Sequence, residues 1–188
     1  MAIKLKHKDT FSTYFITFTC VEWISLFEIA SSYDLVYNWF SVLKNEMDAA
    51  VVAYVIMPNH VHVILHFNKE GFDLNNIISN GKRFMAYEII NLLEKSGNTG
   101  MLEKLSSLLT EREKKKGQLH KVFKDSFDAK AIITQRFLLQ KINYIHNNPV
   151  SGKWKLANDF VEYEHSSASF YEIQLIRHFL PLHFLDLK

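Results

Sequence analysis

The stretch 50–67 restricts the fold of this chain more than any other, because it predicts two adjacent antiparallel β-strands. Ala50–Met57 is rich in β-branched residues, Pro58 and Asn59 interrupt it as a turn does, and His60–Phe67 alternates in polarity. Since successive side chains of a strand point to opposite faces, one face of the second strand is wholly apolar while the other carries histidines. The chain therefore has to build a sheet and bury the apolar face of this strand.

The histidine face of the second strand has the pattern of half a metal site. His60 and His62 are two residues apart, so their imidazoles are neighbours on one face and can share a cation. Two ligands do not make a site, so a third has to come from elsewhere in the chain. His66 lies on the same face nearer the sheet edge. The alternative explanation is a set of ordinary strand histidines that bind nothing.

The remaining periodicity predicts an α+β fold. Tyr14–Cys20 alternates like a strand, whereas Ser32–Met47 and Leu74–Leu93 have helical spacing. Part of Val122–Ile133 is either a strand or an ordered loop. We expect an antiparallel sheet with helices packed on one face, which leaves the other face free to bind a ligand.

The domain organisation expected is a single unit with two additions. Residues 1–150 form the main domain, and 151–188 form a C-terminal extension of it. Within the main domain, Glu94–Gln118 contains two glycine breaks and a charged run, so 94–120 is predicted to be an insertion rather than core.

The composition is typical of a folded cytoplasmic protein. Hydrophobic residues make up 48% of the chain, and with only 6 glycines and 3 prolines a turn-dense β-sandwich is disfavoured. The single Cys20 excludes an intramolecular disulfide and any multi-cysteine metal site. No apolar run approaches the ~20 residues that span a bilayer. The net charge of +2 does not demand a nucleic-acid partner, although a local basic patch could supply one.

A second chemical feature is a tyrosine on a predicted helix. Thr134 is a plausible N-cap, the helix runs to about Asn147, and Pro149 ends it. Tyr144 and Asn148 are one turn apart on one face, separate from an apolar stripe that would dock the helix, formed by Leu138, Ile142 and Ile145.

The tyrosine alone is also explained as a residue at the edge of the core. Tyrosine hydroxyls ionise at about pH 10 and are poor nucleophiles at neutral pH, but a divalent cation that polarises a phosphodiester changes this. Asn148 could add a neutral oxygen ligand to such a cation. The chemistry therefore becomes relevant only when this helix lies beside the histidine strand.

Four segments together resemble one family. YVIMPNHVHVIL resembles the HUH signature of single-tyrosine transposases, in which U is a bulky hydrophobic residue. YIHNNPV resembles the catalytic-tyrosine segment of the REP-associated tyrosine transposase branch. YFITFTC and YEHSSASFY also match the general run of that branch. The resemblance covers most of the chain, from about Tyr14 to Tyr171.

The resemblance implies a ferredoxin-like sheet, a Mg²⁺ or Mn²⁺ cofactor, and a substrate of single-stranded or hairpin DNA. It makes His60 and His62 metal ligands, Val61 the U residue and Asn148 the third polar ligand. It makes Tyr144 the nucleophile that takes the 5′ phosphate and releases a 3′ hydroxyl. A later attack by another 3′ hydroxyl rejoins the DNA, so the expected function is that of a DNA transposase or nickase.

Two segments depart from the pattern of the family. Ser151–Trp154 follows the NPV motif where the family usually has a basic residue and a short loop. Glu94–Gln118 is longer than the corresponding loop in many relatives. DNA could be read at both places, so the DNA sequence recognised is the least transferable property.

The segment Glu111–Lys124 is the first candidate for a DNA-binding surface. It contains six Lys or Arg against two Glu, enough to line a groove for the DNA backbone. The other explanation is a solvated charged loop. The candidate phosphate contacts are Lys114, Lys115, Lys116, Lys121 and Lys124.

Other basic and aromatic residues are weaker candidates. Two further basic clusters consist of Lys4, Lys6, His7 and Lys8, and of Lys82 and Arg83. Three aromatic residues either stack on unpaired bases or belong to the packed interior, namely Phe123, Phe127 and Trp154.

Two other functions fit the same residues. One is a DNA-hairpin-binding protein of this fold that has lost strand transfer, against which the complete set of metal and tyrosine residues argues. The other is a metal-dependent DNA hydrolase in which water attacks and Tyr144 is incidental. Relaxases often place the tyrosine before the histidines, so the motif order disfavours them. A homodimer is one option, and the sequence leaves open whether the tyrosine acts within one chain.

Overall fold

The computed structural model describes residues 11–187, which form an α+β fold around one sheet. The four strands are β1 (Thr13–Thr19), β2 (Ala49–Met57), β3 (His60–Phe67) and β4 (Asp128–Ala131). The α-helices are α1 (Leu26–Ile29), α2 (Asp34–Met47), α3 (Leu74–Lys95), α4 (Thr99–Ser107), α5 (Glu111–Lys115), α6 (Gln135–Asn147) and α7 (Ala168–Ile173). Single 3₁₀ turns lie at Val21–Trp23, Asn148–Val150 and Phe184–Asp186.

The sheet has the strand order β2-β3-β1-β4, and all neighbouring strands are antiparallel. Helix α2 lies between β1 and β2 in the chain, and α3 lies between β3 and β4. This β-α-β-β-α-β succession with this strand order is the ferredoxin-like arrangement. The predicted antiparallel α+β fold is confirmed.

The main core lies between one face of the sheet and the helices α2 and α3. Val61, Val63 and Leu65 of β3 are fully buried there, as the alternation of that strand predicts. The two helices approach each other closely at Gly81, where an added Cβ would lie 2.5 Å from Nε1 of Trp39. A larger residue at this position would force α3 away from α2.

The second face of the sheet, expected to be open, is covered by α6. Leu138, Ile142 and Ile145 are buried against this face in a second, smaller core that includes Val55 and Ile64. The helix buries its apolar stripe in the only way its pattern allows, by packing on a sheet. The histidines of β3 consequently lie between the sheet and α6 instead of on an open surface.

The ends of α6 follow the sequence prediction. Thr134 is the N-cap, and its Oγ1 accepts a hydrogen bond from the backbone N–H of Phe137 at 3.2 Å. The helix ends at Asn147, just before Pro149. The register of this helix fixes which side chains reach the histidine strand.

The C-terminal extension pairs with the outer edge of β2. The backbone N–H of Ser167 donates to the carbonyl oxygen of Tyr54 at 3.0 Å, and that of Ile56 donates to His165 at 2.8 Å. Further along, Leu182 donates to Val51 at 2.8 Å. The extension thus satisfies backbone groups that an edge strand would otherwise expose.

The segment predicted to be an insertion forms α4 and α5. Leu105 of α4 is fully buried in the main core, so this part of the segment is not peripheral. Helix α5 has no buried residue. Within residues 11–187, no helix is both long and apolar enough to cross a bilayer.

Candidate metal and nucleophile site

The two histidines of the HVH motif are adjacent and buried. The ring centroids of His60 and His62 are 4.7 Å apart, with the ring planes inclined at 77°. Their exposed fractions are 4% and 5%. The strand therefore presents two neighbouring imidazoles to the space beneath α6, as the alternation predicts.

The tautomer of His60 follows from its neighbours. The amide Nδ2 of Asn59 donates to the carbonyl oxygen of Trp23 at 2.8 Å, so Oδ1 is the atom that faces His60. Oδ1 of Asn59 lies 2.6 Å from Nδ1 of His60 and can only accept, which places the proton on Nδ1. Nε2 of His60 is left with a free lone pair, the arrangement that a histidine ligand requires.

His62 is held by β1. Its Nδ1 lies 2.7 Å from Oγ1 of Thr17, the residue opposite it in the register of β1 and β3. Its ring stacks on Phe15 with a centroid separation of 5.5 Å and an interplanar angle of 22°. These contacts fix the orientation of the ring and leave Nε2 as its second coordinating atom.

Burial keeps both histidines neutral. Desolvation lowers the pKa of His60 to about 4, an effect opposed by the Asn148 side chain and reinforced by the charge of Lys153. Desolvation, then the neighbouring His60 and Lys141, lowers the pKa of His62 to about 3. Neutral imidazoles at pH 7 are the form that binds a metal without first releasing a proton.

Asn148 brings an amide to the histidine pair. It follows the last residue of α6, and its side chain interacts with that of His60. Its Oδ1 is buried and has no hydrogen-bond partner within residues 11–187. A buried carbonyl oxygen without a partner is unusual and would be satisfied by a cation.

The donor set formed by these three residues fits a divalent cation. Two imidazole nitrogens and an amide oxygen are ligands that several divalent metals accept. No cluster of three His, Cys, Asp or Glu side chains with metal-site geometry occurs in the described part of the chain, so the third ligand has to be of another type, such as this amide.

Tyr144 lies next to the histidine pair. Its ring centroid is 5.2 Å from that of His62 and 5.9 Å from that of Phe15. The residue is 48% exposed, although the histidines beneath it are buried. The spacing of α6 therefore places the tyrosine between solvent and the two imidazoles.

Lys141 adds a positive charge beside the tyrosine. Its Nζ lies 4.5 Å from the ring centroid of Phe15 and 5.2 Å from that of Tyr144. Partial burial, then the charge of Lys130, lowers the pKa of this lysine. The position is suited to an anion that approaches the tyrosine.

Two tryptophans flank His60. The ring centroid of Trp23 is 5.6 Å from that of His60, and that of Trp154 is 6.3 Å away. A lysine ammonium lies over each indole, Lys124 at 4.5 Å from Trp23 and Lys153 at 5.4 Å from Trp154. The His60 side of the site is thus bordered by aromatic surface and positive charge.

His66 does not join the pair. Its Nδ1 lies 2.8 Å from Oγ1 of Thr13, at the opposite end of β1 from the residues around His60. Burial lowers its pKa as well. Its role is that of a buried strand histidine with a hydroxyl partner.

The lysines predicted to bind DNA divide into separate groups. Lys121 is paired with Glu113 at 2.5 Å, and both side chains are largely shielded from solvent. Lys114 contacts Glu111 at 3.0 Å on the surface, while Lys115 and Lys116 are exposed. Among the five predicted lysines, Lys124 is the one whose contacts place it beside the histidine pair, through Trp23.

Two weaker sequence candidates prove structural. The Nζ of Lys82 is buried and donates to the carbonyl oxygens of three loop residues, namely Lys124, Asp125 and Ser126. Phe123 belongs to the main core. Lys82 and Phe123 are therefore not available to DNA, and the cluster of Lys4, Lys6, His7 and Lys8 lies outside the described residues.

Sequence reasoning missed several residues that shape the site. Thr17 and Lys141 had no signal, because strand register and the direction of a long side chain are not readable from spacing. Asn59 was identified only as a turn residue, although it orients His60. Trp23 was not singled out, and two consecutive residues with left-handed backbone could not have been foreseen there.

Comparison with known proteins identifies the fold. No protein-family model matches the chain, and no curated protein is similar to it. A solved REP-associated tyrosine transposase bound to a REP hairpin matches with a TM-score of 0.60 and 14% identity, over 93% of this chain and 90% of that chain. A Deinococcus radiodurans R1 protein, described provisionally as a transposase, matches with a TM-score of 0.44 and 14% identity, over 77% of this chain and 95% of that chain.

The first of these likenesses extends over nearly the whole of both chains, and it agrees with the resemblance seen in the HUH and tyrosine segments. The chain has the fold of a REP-associated tyrosine transposase.

Proposed function

We propose that this protein cuts and rejoins single-stranded, hairpin-containing DNA through a covalent bond between Tyr144 and a 5′ phosphate, with Mg²⁺ or Mn²⁺ as cofactor. The observation that carries the proposal is the meeting of Tyr144, His60, His62 and Asn148 at one place, from two elements far apart in the chain. A buried binding surface alone would not need this combination of residues.

The metal would be held by His60, His62 and Asn148, whose nitrogen and oxygen atoms are described above. When bound, a divalent cation withdraws charge from a phosphodiester and stabilises the charge that develops on phosphorus oxygens during displacement. The protein contributes the fixed orientation of the two imidazoles and the exclusion of water from beneath α6.

The cleavage step uses the tyrosine hydroxyl as nucleophile. Oη of Tyr144 forms a bond to phosphorus, the bond between phosphorus and the 3′ oxygen breaks, and the phenol proton ends on the departing 3′ oxygen. The products are a 5′-phosphotyrosine and a free 3′ hydroxyl, so atoms and charges balance without a further reactant. The half-exposed position of Tyr144 lets a strand reach it from solvent.

Rejoining is the same reaction in reverse with a different strand. A 3′ hydroxyl attacks the phosphotyrosine, the bond between phosphorus and Oη breaks, and the proton returns to the phenol oxygen. Because one ester replaces another at each step, the bond energy is retained and no nucleotide cofactor is needed.

The choice of a hairpin substrate has separate support. The solved transposase that shares this fold is described as bound to a REP hairpin. The described basic residues near the site, Lys124, Lys141 and Lys153, suit a polyanion.

A covalent-adduct assay tests the proposal. End-labelled single strands copied from the DNA that flanks the gene, hairpins included, are incubated with the protein and Mn²⁺ or Mg²⁺, then run on a denaturing gel. We expect a labelled band shifted to the mass of the protein that disappears with Tyr144→Phe, with His62→Ala and with a chelator.

Matched controls separate the site from general damage. Tyr87→Phe removes the hydroxyl of a tyrosine on α3 that is 61% exposed, and it should leave the adduct unchanged. Free cleaved DNA without an adduct that survives Tyr144→Phe would reject the tyrosine mechanism in favour of a hydrolase. Tight hairpin binding with no cleavage by any variant would indicate a binding protein instead.

A further inference from the structure

Trp23 is an exposed aromatic residue in an unusual place. It is 52% exposed, yet its ring contacts the buried His60 with a centroid separation of 5.6 Å. Large exposed aromatic side chains beside a catalytic pair are more informative than scattered ones, because they border the space that a substrate occupies. The ring lies on the His60 side of the pair, whereas Tyr144 lies on the His62 side.

The loop that carries Trp23 is held in a strained conformation. Glu22 and Trp23 have φ values of 48° and 59°, a left-handed conformation that residues other than glycine rarely adopt. Asn59 stabilises it, because its amide donates to the carbonyl oxygen of Trp23 at 2.8 Å and its backbone carbonyl accepts from Cys20 at 2.8 Å. The same Asn59 side chain orients His60, so the positions of the tryptophan and the histidine are linked.

The loop is also fixed to the segment that carries Lys124. The backbone N–H of Val21 donates to Val122 at 2.8 Å, and that of Lys124 donates to Thr19 at 3.0 Å. The ammonium of Lys124 lies 4.5 Å from the centroid of the Trp23 ring. An exposed indole and a neighbouring cation are thus preorganised on a rigid frame.

We propose that Trp23 and Lys124 form a binding site for one unpaired nucleotide of the DNA strand, with the base stacked on the indole and its phosphate beside the ammonium. Stacking on an aromatic ring with a basic side chain nearby is the general way in which proteins hold unpaired bases. This inference rests on the proposed function, and it adds a contact on the side of the metal pair remote from the tyrosine.

The charge of the surroundings decides between classes of ligand. Lys124 and, across His60, Lys153 make this border positive, which disfavours a cationic or acylated small ligand and favours a phosphate. The half-exposed ring is large enough for one base, and the adjacent pair of histidines defines which base it is. The nucleotide held here is the one next to the scissile phosphate on the His60 side.

Binding of a hairpin oligonucleotide with single-stranded extensions of mixed sequence tests the site. Each extension nucleotide in turn is replaced by an abasic residue, and the dissociation constant is measured for the wild type, Trp23→Ala and Trp23→Phe. We expect Trp23→Ala to weaken binding by about 5- to 100-fold, the range that one stacked base contributes, and Trp23→Phe to weaken it less.

The abasic series separates stacking from a merely structural role. In the wild type, one abasic position should weaken binding by a similar factor, and in Trp23→Ala the same position should have no further effect. Phe84→Ala is the matched control, because Phe84 is 61% exposed and has Arg83 over its ring at 5.1 Å, but lies on α3. It should leave affinity unchanged.

The failure of this inference differs from failure of the proposed function. If the wild type forms the Tyr144 adduct but every abasic position affects wild type and Trp23→Ala alike, the stacking site is wrong and the transferase stands. If the wild type neither binds the probe nor forms an adduct, both are wrong. Circular dichroism and thermal unfolding of Trp23→Ala and Trp23→Phe establish that each variant is folded before these comparisons are made.

Discussion

Oδ1 of Asn59 lies 2.6 Å from Nδ1 of His60 and fixes the tautomer of that ring. Asn59→Ala removes this contact, so the ring of His60 is free to rotate or to change tautomer. We expect the affinity for Mn²⁺, measured by calorimetry, to fall by about 10- to 100-fold, the usual effect of losing a group that orients a ligand. Asn68→Ala, at the other end of β3 where Asn68 contacts Asp48, should leave that affinity unchanged.

Asn148→Ala should separate metal binding from stability. The buried Oδ1 of Asn148 makes no hydrogen bond within the described chain, so its removal should leave the free energy of unfolding in chelator unchanged or slightly higher. Mn²⁺ affinity should nevertheless fall, because one ligand is lost. Urea unfolding in chelator and calorimetry with Mn²⁺ measure the two effects. Asn147→Ala, one residue earlier, is the control; a variant of Asn148 with wild-type Mn²⁺ affinity would exclude this residue as a ligand.

The salt dependence of DNA binding should distinguish Lys124 from Lys121. For single strands, the slope of log K against log salt is about −0.7 for each phosphate neutralised, so five lysine contacts would give about −3.5. Lys124→Met should make the slope shallower by about 0.7. Lys121→Met should leave the slope unchanged and instead lower thermal stability, because Lys121 already neutralises Glu113. Equal changes of slope in both variants would contradict the division of the basic segment described above.

Stability should fall as pH decreases from about 6.5 towards 4. His146 is 3% exposed, its Nε2 lies 2.9 Å from Oγ of Ser167, and burial lowers its pKa to about 4. The unfolded chain, with a histidine pKa of about 6.5, therefore binds more protons than the folded chain in this window, so acid favours unfolding. Urea unfolding in chelator at several pH values measures the trend.

The variant His146→Gln checks the origin of this pH dependence. Glutamine keeps a polar group near Ser167 but does not titrate, so stability should depend less steeply on pH between 6.5 and 4. The residual dependence should come from His60 and His62, whose pKa values burial also lowers. The partly exposed His120→Gln serves as control and should retain the slope of the wild type.

The fold was largely predictable because its signals are local. Alternation in β3, the turn at Pro58, and the N-cap at Thr134 each depend on residues close in sequence. The covering of the second sheet face was not predicted, although the apolar stripe of α6 indicated that this helix had to dock on something. Sequence spacing shows that a face is apolar, but not which surface buries it.

The candidate site was predictable in its ends but not in its support. The HVH spacing and the helical interval between Tyr144 and Asn148 follow from geometry within one element, and the family resemblance joined them. The supporting contacts of Thr17 and Trp23 depend on strand register and on a left-handed loop, which are properties of the assembled fold. Residues that position others therefore escaped detection more often than those that carry the chemistry.

Tyr144 and Asn148 belong to the same helix end, one turn apart. The nucleophile and the third ligand are thus a single mechanical unit, and any displacement of α6 moves both. Should two copies of the chain exchange this helix, each active centre would receive its tyrosine and its amide from the same neighbour, never one without the other. A misplaced helix would then silence the enzyme completely instead of leaving a metal centre that cuts without control.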